Sequence, residues 1–149
     1  MIEKIVFSIM LGYFLGCITP SYYLGKWLKN IDIRKKGSKN AGTLNAFKVL
    51  GFWPGILTFV VDAGKGAASV LIAFLLAVPE LFVYASAISC ILGHRHPFQL
   101  EFKGGKVLAS IIGIILAVFI IRLQHSYLFS SILILAYIVA RIYEKYKKS

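Results

Sequence analysis

The segment IVFSIMLGYFLGCITPSYYLGKWL (residues 5–28) decides the fold, because it carries no charge apart from Lys26 near its end. About 20 predominantly apolar residues are enough for a helix to cross the hydrocarbon core of a bilayer. Gly12 and Gly16 favour close packing against a neighbouring helix, and Pro20 favours a kink. The segment is therefore predicted to form a kinked, closely packed membrane helix.

The composition also favours a membrane protein over a soluble one. The chain is 58% hydrophobic and only 15% charged, and its mean hydropathy is +0.78. A soluble domain of this size must cover a large surface with polar groups. The net charge of +11 then indicates basic loops that face the cytoplasm and anionic headgroups. A nucleic-acid binder is disfavoured, because the basic residues alternate with membrane-length apolar runs.

Chain length and cysteine placement add two further expectations. At 149 residues the chain is predicted to be a single integral membrane domain, residues 1–149. Cys17 and Cys90 lie inside apolar runs, and their spacing suits neither a disulfide framework nor a metal site. We interpret both as small buried hydrophobic side chains.

Further apolar segments predict an all-α membrane bundle with about five crossings. Residues 52–61 follow a basic loop and are too short to cross alone, which predicts a re-entrant or half helix. Two hairpins should follow. One is a tight hairpin of short or broken helices, residues 67–78 and 81–92, around Pro79 and Glu80, and the other joins residues 107–121 to 127–140. Basic residues in the first loop and the tail predict that both face the cytoplasm, with the N-terminus outside.

Three polar islands interrupt the apolar segments. The first polar island is GSKNAGTLN (residues 37–45), the second is DAGKG (62–66) and the third is GHRHPFQLEFKGGK (93–106). In the predicted topology all three lie on the cytoplasmic side. Ionisable groups at membrane depth are costly and are usually functional, so we expect the islands to form the candidate site.

The first polar island combines a permissive backbone with short polar side chains. Gly37 and Gly42 permit positive φ and close backbone approach, and successive N–H groups in such a loop can form an anion-binding nest. The cations around it are Arg34, Lys35, Lys36, Lys39 and Lys48. The alternative reading is a solvated, positively charged cytoplasmic loop. The chain contains no G-x-x-x-x-G-K-[ST] motif, which argues against a nucleotide-binding P-loop.

The other two islands contain candidate ion pairs and acid–base groups. Asp62 and Lys65 would share a helix face, either as a structural ion pair or with Lys65 charging a phosphate site that Asp62 holds in place. KGGK (residues 103–106) precedes an apolar helix, and helix N-termini bind anions. His94 and His96 are acid–base candidates or interfacial packing residues. No metal-binding motif is present, so no metal is expected.

The residues by themselves thus predict a multi-pass membrane protein with a cationic, glycine-rich anion site. Phosphate is the natural anion, and without a nucleotide motif a phosphorylated metabolite or lipid precursor is favoured over ATP. One alternative is a small transporter of an anionic phosphorylated metabolite, since broken helices with positive ends suit that role. Another is a non-catalytic phospholipid-binding protein.

The islands resemble motifs of the bacterial acyl-phosphate-dependent glycerol-3-phosphate acyltransferases (PlsY). DIRKKGSKNAGTLN (residues 32–45) is similar to D-x-R-x-x-G-S-G-N-x-G-A-T-N, and DAGKGA (62–67) to D-x-x-K-G-A. GHRHPFQLEFKGGKVLAS (93–110) is similar to G-H-x-x-P-x-x-x-x-F-K-G-G-K-G-x-A-T. GYFLGCITPSYYLGK (12–26) resembles the opening motif G-Y-L-x-G-S-I-P-x-x-Y. The motifs stand in the family's order and at its intervals.

The resemblance implies a multi-pass enzyme of the bacterial inner membrane whose active site faces the cytoplasm. Such an enzyme transfers an acyl group from acyl phosphate to the sn-1 hydroxyl of glycerol 3-phosphate, forming lysophosphatidic acid and phosphate. It implies that no cofactor, metal or nucleic acid takes part. It also implies that membrane lipid surrounds the protein. The oligomeric state stays open.

The resemblance also implies roles for individual residues. Catalytic roles fall on Ser38, Asp62, His94 and Lys106. Substrate-binding roles fall on Asn40, Thr43, Asn45, Lys48, Lys65, Lys103, Gly104, Gly105 and Ser131. Lys106 matches a lysine that contacts a substrate phosphate, and Ser131 matches a late serine at the start of a helix. His94, Asp62 and a substrate phosphate oxygen remain alternative general bases.

The chain departs from the family pattern in four places. Lys39 and Val107 each replace a glycine, and Lys39 is expected to crowd its loop or adopt a strained φ. Lys48 stands in place of an arginine, so the charge is kept and the bidentate fork is lost. The counterpart of the family's C-terminal H-R-x-N-I-x-R-L segment reads ARIYEKYKKS (residues 140–149). We therefore expect a divergent, C-terminally short member, with an inactive or repurposed relative as the alternative.

Overall fold

The computed structural model describes residues 1–124 and 130–139, and every regular element in these residues is helical. The all-α prediction is confirmed. The α-helices are α1 (Ile2–Cys17), α2 (Pro20–Lys29), α3 (Thr43–Val49), α4 (Phe52–Leu75), α5 (Glu80–Arg95), α6 (Leu108–Gln124) and α7 (Ser130–Val139), with short 3₁₀ turns at Ile33–Lys35 and Phe98–Leu100. The chain divides into two compact units, Met1–Ala117 and Val118–Ser149. A single membrane domain stays a prediction.

The predicted kink near Pro20 is a complete break between two helices. α1 ends at Cys17, and α2 begins at Pro20. Proline suits the first helical position because it has no N–H group to leave unsatisfied. Ile18 between them is extended, with φ −65° and ψ 112°. Its carbonyl therefore leaves the helical ladder and accepts a hydrogen bond from Lys65 Nζ.

The prediction of a re-entrant or half helix at residues 52–61 is wrong. α4 is one continuous helix of 24 residues that runs through the second polar island. A hydropathy count ends the apolar segment at Asp62, but Lys65 Nζ lies 2.9 Å from Asp62 Oδ1 on the same helix face. Charges that neutralise each other can be buried without breaking the helix.

Among the described residues, two helical stretches are long and apolar enough to cross a membrane on length and composition. They are Ile2–Lys29, which contains α1 and α2, and Phe52–Leu75, which is α4. The helices α6 and α7 are apolar but shorter. The number of crossings and the direction in which the chain enters the membrane stay predictions.

The turn predicted around Pro79 and Glu80 is present, but the helices on either side of it are continuous, not short or broken as predicted. The second predicted hairpin lies partly outside the described residues. α4 ends at Leu75, and α5 begins at Glu80 with Pro79 as its N-cap. α5 extends to Arg95, so the first residues of the third polar island form its last turn. For the second hairpin, α6 and α7 are helical, whereas the linker at residues 125–129 and the basic tail at 140–149 are not among the described residues.

Glycines allow helix backbones of the first unit to approach closely. A methyl group at Gly12 would lie 2.4 Å from the carbonyl oxygen of Ser86, and one at Gly16 would lie 2.1 Å from that of Cys90. These contacts confirm the close packing predicted for the first segment, and the partner is α5. A methyl group at Gly66 of α4 would similarly lie 2.2 Å from a backbone oxygen of α6. Such proximity is typical of helices that pack through small residues in membranes.

The first unit carries large apolar side chains on its surface and small polar groups inside. Phe7, Phe14 and Leu75 are exposed, although they lie on long apolar helices. Serine and threonine hydroxyls are buried between the helices. Cys17 and Cys90 are buried free thiols, as predicted. This distribution suits a protein whose solvent is lipid, because lipid offers no hydrogen bonds to polar groups.

Candidate functional site

The three polar islands meet in the first unit, as expected. The Ala41 N–H donates to the Gly104 carbonyl at 3.2 Å, which joins the first island to the third. The Thr43 hydroxyl donates to Asp62 Oδ2 at 3.1 Å, which joins the first island to the second. His94 Nδ1 lies 3.4 Å from Asp62 Oδ1, which joins the third island to the second. Residues that are far apart in the chain therefore form one continuous polar cluster.

Within this cluster, Asp62, Lys65 and His94 are buried together. Asp62 and His94 are 0% exposed, and Lys65 is 4% exposed. Lys65 Nζ lies 2.9 Å from Asp62 Oδ1 and 2.6 Å from His94 Nδ1, and it also donates to the Ile18 carbonyl. A buried charge is tolerated when it is paired and hydrogen-bonded. The predicted Asp62–Lys65 pair is confirmed, and its contacts lie within the chain; a direct substrate contact of Lys65 stays a prediction.

Asn45 holds the loop of the first polar island in shape. The side chain is fully buried, and its Oδ1 accepts from the Ser38 N–H at 2.8 Å. A methyl group at Gly37, where φ is +55°, would lie 2.3 Å from this oxygen. The amide nitrogen lies near three carbonyl oxygens: those of Ile33 at 3.0 Å, Lys36 at 3.1 Å and Asn40 at 2.8 Å. Because these contacts occupy both ends of the amide, Asn45 organises the loop, and its direct contact with substrate stays a prediction.

Ser38, Asn40 and Lys106 form the solvent-facing edge of the cluster. Asn40 Nδ2 lies 3.0 Å from Ser38 Oγ. A methyl group at Gly42 would lie 3.1 Å from both Asn40 Oδ1 and Lys106 N, so the two residues adjoin. Ser38 and Lys106 are exposed. The edge thus offers a hydroxyl, an amide and a cation to a ligand, which is a suitable set for a phosphate group.

Gly104 and Gly105 hold the third island against the end of α5. Their N–H groups donate to the carbonyls of Arg95 and His94, each at 3.1 Å. A methyl group at Gly104 would lie 2.0 Å from the His94 carbonyl oxygen, and one at Gly105 would lie 2.4 Å from that of Ala41. Only glycine permits this approach. Both N–H groups are used within the chain, so a role in binding an anion stays a prediction.

Three other predicted substrate residues have exposed side chains. Lys48 is exposed in the last turn of α3. The Lys103 side chain is 75% exposed and lies 3.8 Å from Glu101 Oε2, a surface pair of little strength. Ser131 is exposed in the first turn of α7, in the second unit. The substrate roles of all three stay predictions.

Arg34 is a structural cation, a role that the sequence analysis missed. Its Nη2 donates to Asp32 Oδ2 at 2.8 Å, and its Nε donates to Asp32 Oδ1 at 3.0 Å. Its Nη1 donates to the Leu100 carbonyl at 2.8 Å. The hydrogen bond from Arg34 holds the pKa of Asp32 below its ordinary value. Arg34 thereby ties the segment just before the first island to the third island, on a small apolar core that includes the fully buried Ile33. The D-x-R spacing is the signal that predicts this pair.

Lys39, which replaces a glycine of the family pattern, adopts the strained φ that was expected. Its φ is +56°, a left-handed conformation that an L-residue with a side chain adopts at a cost of about 1–2 kcal/mol.

Among the described residues, no cluster of histidine, cysteine, aspartate or glutamate is arranged to hold a metal ion.

Comparison with known proteins identifies the family. The sequence model of the family described as "Glycerol-3-phosphate acyltransferase" matches residues 6–148. Glycerol-3-phosphate acyltransferase 2 of Dehalococcoides mccartyi is 42% identical over 111 residues, which cover 74% of this chain and 53% of the relative. The glycerol-3-phosphate acyltransferase of Thermotoga petrophila is 45% identical over 106 residues, 71% of this chain and 54% of the relative.

Two crystal structures of PlsY (YgiH), an integral membrane glycerol 3-phosphate acyltransferase, have the same fold. The glycerol 3-phosphate form has a TM-score of 0.71 at 35% identity and covers 76% of this chain and 57% of PlsY. The lysophosphatidic acid form has a TM-score of 0.68 at 34% identity, with 76% and 56% covered. The chain spans about half the length of the curated relatives it matches, 53% for the first. The predicted resemblance is confirmed: this chain belongs to the glycerol-3-phosphate acyltransferase family.

Proposed function

We propose that this chain is a membrane enzyme that acylates glycerol 3-phosphate with acyl phosphate to form lysophosphatidic acid. The observation that carries the proposal is the edge formed by Ser38, Asn40 and Lys106, where the first and third islands meet. The family and the ligands named for the two PlsY structures support the choice of glycerol 3-phosphate and lysophosphatidic acid. Acyl phosphate as the donor rests on the family resemblance.

The chemistry requires mainly positioning and charge neutralisation. Acyl phosphate is a mixed anhydride with a good leaving group, and both substrates carry phosphate. Holding the acceptor hydroxyl against the acyl carbon therefore supplies much of the rate, and cations stabilise the charge that develops on the leaving phosphate. We assign this charge neutralisation to Lys106, with Lys48 as a second cation, and hydrogen bonding to Ser38 and Asn40.

The acceptor hydroxyl must lose a proton as it attacks. Asp62 is an unfavourable base, because Thr43 donates to its Oδ2 and Lys65 pairs with its Oδ1. His94 is buried, and both of its ring nitrogens have partners in the chain. We therefore assign the proton to an oxygen of the donor's phosphate. The hydroxyl oxygen bonds to the acyl carbon, the bond from that carbon to the phosphate oxygen breaks, and phosphate leaves with the proton.

We also propose that the protein spans the bacterial inner membrane with its polar islands on the cytoplasmic side. The exposed apolar side chains of the first unit and the net charge of +11 support this placement. Trypsin should cut the loop at residues 34–39 in inside-out vesicles and leave it intact in right-side-out vesicles. Equal cleavage in both would contradict the orientation.

Turnover of purified protein tests the reaction. Phosphate release from palmitoyl phosphate should require glycerol 3-phosphate, and mass spectrometry should identify lysophosphatidic acid as the product. Lys106→Ala should lower kcat/KM by about 100-fold or more, because the phosphate loses a charge-assisted contact. Lys4→Ala removes an exposed lysine of α1 and is the matched control, with activity unchanged.

Other outcomes would favour the alternatives. Folded protein that yields no product with several acyl phosphates and acceptors would favour an inactive or repurposed relative. Flux of glycerol 3-phosphate into proteoliposomes without ester formation would favour a transporter. Full activity of the Lys106→Ala variant would refute the role of that lysine and leave the reaction standing.

A further inference from the structure

We infer that His94 is a positioning residue, a neutral imidazole that holds the backbone of Lys106 in place and is itself held by the buried Lys65. The role of Lys106 in turnover rests on the proposed function. The contacts of His94 do not, because they lie wholly within the chain. Changes at His94 are therefore expected to alter turnover, and the protonation of its ring can be measured separately.

His94 contacts the segment before α6 at two points. Its carbonyl oxygen accepts from the Gly105 N–H at 3.1 Å, and its Nε2 lies 3.2 Å from the Lys106 carbonyl oxygen. Gly105 passes between these contacts so closely that a methyl group there would lie 2.5 Å from Nε2. Main chain and side chain of one residue thus fix the turn that carries Lys106.

The neighbours of the ring determine which nitrogen carries the hydrogen. The Lys106 carbonyl can only accept a hydrogen bond, so Nε2 carries the hydrogen and donates it. The Lys65 ammonium can only donate, and it lies 2.6 Å from Nδ1. Asp62 Oδ1 is farther from Nδ1, at 3.4 Å, and is nearer to Lys65, at 2.9 Å. Nδ1 is therefore the acceptor, and His94 is the neutral Nε2–H tautomer.

The contacts form a chain from the buried ion pair to the exposed edge. Thr43 donates to Asp62 at 3.1 Å, Asp62 pairs with Lys65, and Lys65 donates to His94. Lys106 stands at the end of this chain, and its side chain is exposed, so the described contacts locate it through its backbone. A displacement of about 1 Å at a reacting group can lower a rate about 100-fold. Loss of the His94 contact is expected to act through Lys106 in this way.

Two amide substitutions separate positioning from acid–base catalysis. In His94→Gln, the side-chain amide reaches the position of Nε2 and can still donate to the Lys106 carbonyl. In His94→Asn, the shorter amide reaches only the position of Nδ1, so the Lys65 contact is kept and the Lys106 contact is lost. Neither amide can act as a general base. We expect His94→Gln to retain kcat/KM within about tenfold and His94→Asn to lose about 100-fold or more.

Two kinetic results would overturn the inference. One is an equal, large loss in both variants, which a general base predicts. The other is wild-type activity of His94→Asn. Melting temperature in detergent establishes that each variant folds. If the wild-type protein makes no lysophosphatidic acid, the proposed function fails by itself. Glycerol 3-phosphate binding to the purified protein then replaces turnover, and the same order of the variants is expected.

Nitrogen NMR of the histidine rings gives a readout that is independent of turnover. The chain contains three histidines, and ¹⁵N labelling of their rings in liposomes distinguishes the two neutral tautomers from imidazolium. The signal that disappears in His94→Gln belongs to His94. At neutral pH it should show a protonated Nε2 and an unprotonated Nδ1 that accepts a hydrogen bond. A hydrogen on Nδ1, alone or together with one on Nε2, would overturn the assignment.

Discussion

Asn45→Ala is expected to open the loop of the first polar island. The Asn45 side chain is 0% exposed and contacts the Ser38 N–H and three carbonyl oxygens at 2.8–3.1 Å. An amide has two hydrogens, so the side chain makes about three full hydrogen bonds, one accepted and two donated. At about 0.5–1.5 kcal/mol each, their loss should cost about 1.5–4.5 kcal/mol of loop stability.

Trypsin measures this loss directly, because the loop contains Arg34, Lys35, Lys36 and Lys39. When the loop recloses faster than the protease cuts, the cleavage rate follows the opening equilibrium. Since about 1.4 kcal/mol corresponds to a factor of ten, cleavage of Asn45→Ala should be about tenfold faster than in wild type, or more. Mass spectrometry of the fragments identifies cuts within residues 34–39.

Asn40→Ala is the matched control in the same loop. Its side chain is less buried, and its amide donates only to Ser38. We expect its cleavage rate to change by less than about threefold, as for a partly exposed hydrogen bond. If Asn45→Ala is cut no faster than wild type or Asn40→Ala, Asn45 does not hold the loop.

Two further substitutions test packing and electrostatics. Gly66→Ala should lower the stability in detergent by about 1–3 kcal/mol through overpacking, because its methyl group would lie 2.2 Å from the backbone of α6. Gly64→Ala on the same helix has open space and should be neutral or stabilising; similar losses in both would contradict the packing. Arg34 lowers the pKa of Asp32, so ionised Asp32 stabilises the fold above its unfolded pKa. This stabilisation disappears as the pH falls through the lowered folded pKa. Asp32→Asn should therefore lose less stability than wild type in unfolding experiments between neutral and acidic pH, and an equal loss would contradict the ion pair.

The helices were predictable wherever hydropathy and local chemistry agree. Residues 5–28 are apolar, and Pro20 marks the start of α2 as well as the break before it. The same reasoning misplaced a boundary in α4, because hydropathy counts charged residues singly. Asp62 and Lys65 are costly to bury alone, yet as a pair they lie inside one 24-residue helix. A partner three residues away changes the energetics of burial without changing the hydropathy count.

The residues of the candidate site were predictable from the sequence. Their burial and their contacts with one another were much less so. Motif order brought Ser38, Asn45 and His94 into one proposed site. It did not distinguish exposed Ser38 from buried Asn45, since both are small polar residues of one loop. It also treated Arg34 as one of several cations, whereas its partners are Asp32 and the Leu100 carbonyl.

Composition, hydropathy and motif order were sufficient to establish a helical membrane protein of this family, because each depends only on residue type and spacing. Tertiary structure alone decided which polar groups face each other and which remain available to a ligand. The buried side chains of Asp62, Lys65 and His94 contact one another. Ser38 and Lys106 are exposed. The physical reason is that a hydrogen bond depends on distances of a few tenths of an ångström between segments that lie far apart in the chain.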